Sequence, residues 1–125
     1  MESHGNYKIE LRENIVHIYP SGGFNEQGVK QLNDEVLLIA PDEAPWALMA
    51  HPDDSAGLTP EAVNEIVSFF QLISKKNCVV IGMEVLPTWQ GVLENSIKGN
   101  VNIPVYMDVN MTKLSPLINN ILDNA

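Results

Sequence analysis

Two short apolar runs constrain this chain more than any other feature: Trp46–Ala50 (WALMA) and residues 78–83 (CVVIGM). Neither alternates with polar residues, so neither suits a strand with one wet face. Both read as central strands buried on both faces. Between them Val63, Ile66, Val67, Phe70 and Ile73 recur at helical spacing, and Ala62, Phe69 and Leu72 widen the stripe. A stripe that broad belongs to a helix packed firmly on a sheet. A strand, a helix and a second buried strand make a parallel crossover.

The flanking chain extends this unit. Tyr7, Ile9 and Leu11 alternate with Lys8, Glu10 and Arg12, the period of a half-buried strand. Glu13-Asn14 can make a turn, and residues 15–19 form a second strand rich in β-branched and aromatic side chains. So short a connection makes the pair an antiparallel hairpin. Pro20-Ser21-Gly22-Gly23 stops the second strand as a turn. Asn25 is placed to cap a helix over Glu26–Ile39, with Glu26 in the first turn and Val29, Leu32, Val36 and Ile39 on one face. Thr59-Pro60-Glu61 opens the second helix with a cap, a proline at the first helical position and an acid in the first turn. Lys75 and Lys76 suit its negative end, and Asn77 can take the left-handed cap. Thr88 is expected to cap a third helix carrying Trp89, Val92, Leu93 and Ile97 on one face. Residues 103–107 form a last strand whose Pro104 suggests an edge position or a strand start. A final helix carries Leu114, Leu117, Ile118, Ile121 and Leu122 and is expected to begin at Ser115-Pro116. The expected fold class is α/β in one domain, with a loose start over residues 1–6. Its order is β-β-α-β-α-β-α-β-α around a mixed sheet of about five strands.

The formal net charge of −9 opposes nucleic acid phosphates and anionic membrane surfaces, and no basic stripe offsets it. No apolar run approaches the roughly 18 residues that span a bilayer. The opening residues MESHGNYKIE have neither the basic region nor the apolar core of a signal peptide, so a cytoplasmic location is expected. The single cysteine, Cys78, excludes an internal disulfide framework and fits a reducing compartment. It begins a buried strand and reads as a small core hydrophobe.

Three pieces of the chain resemble the STAS fold of the anti-sigma-factor antagonists, and more closely the small bacterial SpoIIAA-like proteins. They are the break and helix start SGGFNEQGVKQLNDEVL, the helix opening Thr59-Pro60-Glu61-Ala62 after a strand and loop, and the buried strand with a Trp-bearing helix, CVVIGMEVLPTWQGVLE. The resemblance implies a regulatory or binding role. Anti-sigma-factor antagonists carry a phosphorylatable serine in an Asp-Ser-Ser-Gly-Leu run. Here the run is Asp54-Ser55-Ala56-Gly57-Leu58, so Ala56 stands at the phosphoacceptor position and Ser55 matches the other serine. The helix begins only after Thr59, which leaves the run in a longer loop. Both departures weigh against a phospho-switch at Ser55.

His51, Asp53 and Asp54 follow the first buried run, where open α/β sheets bind ligands. A histidine with two acids can do acid–base work or hold a divalent ion. The same composition is that of a solvated, acid-rich turn, and no second histidine stands at ligand spacing, so no metal or other cofactor is expected. His17 lies in the hairpin, where it can face solvent. Glu84 and Trp89 follow the other strand end. Trp89 reads first as core, or else as the wall of a small apolar pocket with Met83 and Leu86. No glycine-rich phosphate loop and no nucleophile elbow is present. The reading is a non-catalytic module that binds a protein or a small apolar ligand at the strand carboxyl ends. His51, Asp53, Asp54, Ser55, Glu84 and Trp89 are its site residues. A small enzyme using His51 and its acids, and a phospho-regulated antagonist, are the rivals. The hairpin's outer strand and Pro104 bear on edge pairing and leave a homodimer open.

Overall fold

The computed structural model describes residues 2–125. Its elements in order are β1 (Ile9–Arg12), β2 (Ile15–Ile18), β3 (Gly23–Phe24), α1 (Glu26–Ile39), β4 (Trp46–Ala50), β5 (Gly57–Leu58), α2 (Pro60–Ser74), β6 (Cys78–Glu84), α3 (Pro87–Ile97), β7 (Val105–Asp108) and α4 (Met111–Asp123). Five strands form one mixed sheet in the order β1-β2-β4-β6-β7. The hairpin β1–β2 is antiparallel, and every other pairing in that sheet is parallel. The two apolar runs are its central strands, and all five residues of β4 are buried.

The side chains sort by register. Val16, Ile18, Leu48, Ala50, Ile81 and Met83 face one way and pack with Val29 and Val36 of α1, Phe70 and Ile73 of α2 and Leu93 of α3. Ala47, Met49 and Val80 face the other way and pack on Ile118 of α4. Gly82 permits that contact: a Cβ there would lie 3.0 Å from Ile118 Cδ1. Trp46 is fully buried, and its indole N–H donates to the Lys76 carbonyl at 2.7 Å, so its one polar atom is satisfied. Cys78 is 2 % exposed, and burial pushes its thiol pKa up to about 12, as befits a core hydrophobe.

The caps act as the sequence leads one to expect at two helices. Asn25 Oδ1 accepts from Gly28 N–H at 2.9 Å, and Thr59 Oγ1 accepts from Ala62 N–H at 3.1 Å. Asn77 adopts a left-handed conformation at φ 72°. Gly28 has a second role, since a Cβ there would collide with the His4 carbonyl oxygen. Residues 2–6 are held on α1 rather than loose. Asn25 Oδ1 also accepts from His4 N–H at 3.0 Å, and Asn25 Nδ2 donates to the Glu2 carbonyl at 2.8 Å.

Four expectations are corrected. The first strand begins at Ile9, although Tyr7 still packs against the core. The last strand begins at Val105, past Pro104, whose missing N–H suits the position before a ladder. Helix α3 begins at Pro87, so Leu86 rather than Thr88 occupies the cap position, and no side chain caps it. Proline has the fixed φ and the absent donor that the first helical position tolerates. Helix α4 begins at Met111 with Asn110 accepting from Thr112 N–H at 2.9 Å, which leaves Pro116 inside the helix.

Ile118→Ala removes the side chain that α4 seats on Gly82, and it should cost about 2–5 kcal/mol in urea unfolding. Pro116→Ala should act oppositely, raising stability by about 1–3 kcal/mol by restoring a helical hydrogen bond. An unchanged or lowered midpoint would show that Pro116 is accommodated without loss.

Candidate functional site

The carboxyl ends of β2, β4 and β6 lead into loops that the sequence marks as polar, yet these loops are tightly held. His51 N–H donates to the Ile18 carbonyl at 2.8 Å and Asp53 N–H to the Pro20 carbonyl at 3.1 Å. Gly57 N–H donates to the Gly22 carbonyl at 3.1 Å and Thr59 N–H to the Phe24 carbonyl at 3.0 Å. These bonds create a second, two-residue parallel ladder, β3–β5. Gly23 and Gly57 are therefore strand-paired rather than simple turn and loop. The reason is their low side-chain bulk, which lets two backbones run side by side at the rim.

Under this rim lies an apolar cleft of about 280 Å³. Its floor is Ile18, Ala50 and Met83 at the strand ends. Val29 and Leu32 of α1, Ile66 and Phe69 of α2, and Leu86, Trp89 and Leu93 of α3 wall it. Pro52, Asp53, Asp54, Ala56 and Gly57 edge its mouth. Trp89 is thus packed against the core and lines the cleft as well, beside Met83 and Leu86. Asn33 also lines the cleft while being only 7 % exposed. Its side chain makes no hydrogen bond among the described residues, so the amide is left to the cleft itself.

The six site residues expected from sequence do not form one constellation. Asp53 and Asp54 stand at the cleft mouth and Trp89 in its wall. Ser55 is tied into the loop: its Oγ donates to Asp53 Oδ1 at 2.5 Å and accepts from Gly22 N–H at 2.9 Å. Hydrogen bonds from the Ser55 hydroxyl and backbone N–H hold the Asp53 carboxyl below the usual carboxylate range. Glu84 lines the cleft through its place at the end of β6, but its Oε2 accepts from Met111 N–H at 3.0 Å, at the start of α4. A carboxylate there complements the helix dipole.

His51 turns to the opposite face of the sheet. It meets His17, whose Nδ1 lies 2.8 Å from His51 Nε2. At that distance one ring N–H donates to the other ring's bare nitrogen, so one of the two facing nitrogens is protonated and the other is not. Tyr19 stacks on His51 with ring centroids 4.8 Å apart, and Arg12 Nη2 donates to the Tyr19 hydroxyl at 3.1 Å. His17 is 8 % exposed, so the expectation that it can face solvent is corrected. Parallel pairing of β2 with β4 puts Tyr19 and His51 side by side and buries the ring that precedes them. Burial, reinforced by Arg12 and His51, lowers the His17 pKa to about 4. His51 is also lowered by burial, with Glu84 opposing and Arg12 assisting. Both rings are neutral near pH 7, and His51 faces a depression edged by Lys8, Glu10, Tyr19 and Asp53.

Sequence reasoning missed His17 and Asn33. Asn33 had a signal: it lies four residues after Val29 and three before Val36, a polar side chain on the apolar stripe of α1. His17 had none short of the strand register. No group of three or more His, Cys, Asp or Glu among the described residues is placed to hold a metal ion. No helix among them is long and apolar enough to cross a membrane.

No protein-family model matches the sequence, and no curated protein matches it. The fold does have a solved counterpart. An uncharacterized protein of the DUF3478 family with a SpoIIAA-like fold, from Shewanella loihica PV-4, matches with a TM-score of 0.62. The match covers 94 % of this chain and 96 % of that one at 10 % sequence identity. The chain has a SpoIIAA-like fold, as the three sequence pieces led one to expect.

The histidine pair makes stability depend on pH with a definite sign. Unfolded His17 titrates near its ordinary value of 6.5, and folded His17 at about 4. Between these values the unfolded chain binds the extra proton, so stability is greatest above 6.5 and falls as pH drops towards 4. The lowered pKa of His51 acts in the same direction. Urea midpoints measured across this window should fall less steeply for His17→Gln than for the wild type, because glutamine keeps a hydrogen-bonding group without titrating. Equal slopes would remove His17 from the acid response.

Proposed function

We propose that this protein is a binding module whose ligand is a small apolar molecule held at the carboxyl ends of the sheet strands. The observation that supports the reading is the cleft. It is concave, walled by three helices, and lined mainly by aliphatic and aromatic side chains with a few polar groups at its edge. Cavities of that character are the usual seats of small ligands. Its volume of about 280 Å³ lies near the lower end of the range such ligands occupy. The place agrees with the general rule for open α/β sheets, whose ligands sit outside the strand carboxyl ends.

Catalysis is not part of this reading. His51 is turned away from the cleft and paired with His17, and Ser55 spends its hydroxyl on Asp53 and Gly22. A phosphate on Ser55 would also add negative charge against the Asp53 carboxylate, which it already touches. Ligand capture, rather than a phospho-switch, fits these contacts.

Nile red, a neutral apolar dye, should bind saturably with one site per chain and brighten on transfer from water. Gly57→Leu is the matched control. Gly57 lies at the mouth, and even a Cβ there would come within 3.9 Å of the Trp89 ring. The larger side chain should block entry and lower dye affinity at least about tenfold while the far-ultraviolet circular dichroism stays native. Absence of saturable binding, or equal binding by a folded Gly57→Leu protein, would falsify the proposal.

A further inference from the structure

Resting on the apolar-site reading, we infer that the ligand carries a protonated amine, which lies at the cleft mouth, and a second hydrogen-bonding group, which reaches Asn33. The charged residues lining the cleft are Asp53, Asp54 and Glu84, and no lysine, arginine or histidine is among its lining residues. An anionic ligand such as a fatty acid would meet carboxylates and no counter-charge. A purely neutral one would leave the acidic mouth unused.

The carboxylates differ in availability. Glu84 is engaged with the start of α4 through Oε2. Asp53 receives both Ser55 donors on Oδ1, which leaves its Oδ2 open, and Asp54 is exposed with no side-chain partner among the described residues. An ammonium supplies several donors and can bridge both aspartates.

Acidic residues at a rim would carry little alone; Asn33 is the independent observation. It is more than nine-tenths buried, lines the same cleft and has no side-chain partner among the described residues. The amide is not cut off from solvent, so its donors and acceptor stand open to whatever occupies the cleft. It lies seven residues beyond the start of α1, about 10 Å along the helix axis. The mouth and the inner amide therefore ask for a molecule polar at two ends and apolar between them. The net charge of −9 adds a long-range attraction for a cation.

Competition with bound Nile red tests this with three probes of one chain length: octylammonium, octan-1-ol and octanoate. Octylammonium should displace the dye at a concentration about tenfold below octan-1-ol, and octanoate should be weakest. Added salt should narrow the gap, since the mouth is exposed. Asp53→Asn with Asp54→Asn should abolish the preference for the amine and leave octan-1-ol unchanged, because asparagine keeps the acceptor that Ser55 uses. A terminal hydroxyl, as in 8-aminooctan-1-ol, should tighten binding to the wild type and not to Asn33→Leu. Octanoate competing as well as octylammonium would overturn the cationic ligand while sparing the apolar site. A hydroxyl that weakens binding equally in wild type and Asn33→Leu would overturn the inner contact. If Nile red itself finds no saturable site, the apolar reading fails, and this inference with it.

Discussion

The double-sided burial of β4 governs this molecule. All five of its residues are buried, so apolar cover is needed above and below at once. The chain meets that need unequally. Three helices cover one face, and α4 alone covers the other, seating Ile118 against Gly82. A single helix does not reach across a five-stranded sheet. On the hairpin side of that face, His17, Tyr19, His51 and Arg12 stack and bond to one another in place of an aliphatic layer. The three-helix face has a different imperfection. Its helices leave a cleft at the strand carboxyl ends, and the β3–β5 ladder rims it. The cleft and the histidine pair are two consequences of covering one sheet with four helices.

This arrangement separates two kinds of chemistry that lie close together in sequence. His51 and Asp53 are two residues apart, yet one belongs to the lower face and the other to the cleft mouth. Strand alternation would put residues two apart on one face; they part here because β4 ends at Ala50 and the loop, tied by Asp53 N–H to the Pro20 carbonyl, re-aims the chain. The lower-face rings are neutral near pH 7 and stacked, with Arg12 bonded to Tyr19, and they behave as structure that responds to acid. The upper-face cleft is apolar with carboxylates at its edge and one amide inside. Of the two it is the better suited to hold a guest.

Much of the fold was legible because it depends on local chemistry. The runs WALMA and CVVIGM could only be interior strands, and Thr59-Pro60-Glu61 states a helix start in three residues. What escaped depends on distance. The β3–β5 ladder has two residues per strand, too few to show any period. The contact between His17 and His51 spans 34 positions and exists only because β2 and β4 pair in one particular register. Pro116 misled for a local reason: prolines favour first turns, but Asn110 offered an earlier cap and the packing of α4 absorbed the lost bond. At the site, the acidic mouth and Trp89 were readable as residues, whereas their division from His51 was not. Asn33 was visible as a polar interruption of an apolar stripe, and only its setting in the cleft gives that interruption meaning.

The burial of Cys78 carries one more consequence. The chain has a single thiol, and it sits at the start of a central strand, shielded from solvent and held in its protonated form. A reagent in solution can meet it only when β6 parts from its neighbours. The residue is thus a built-in clock for the opening of the sheet: the rate at which the thiol is modified measures how often the core comes apart, with no label added to the protein.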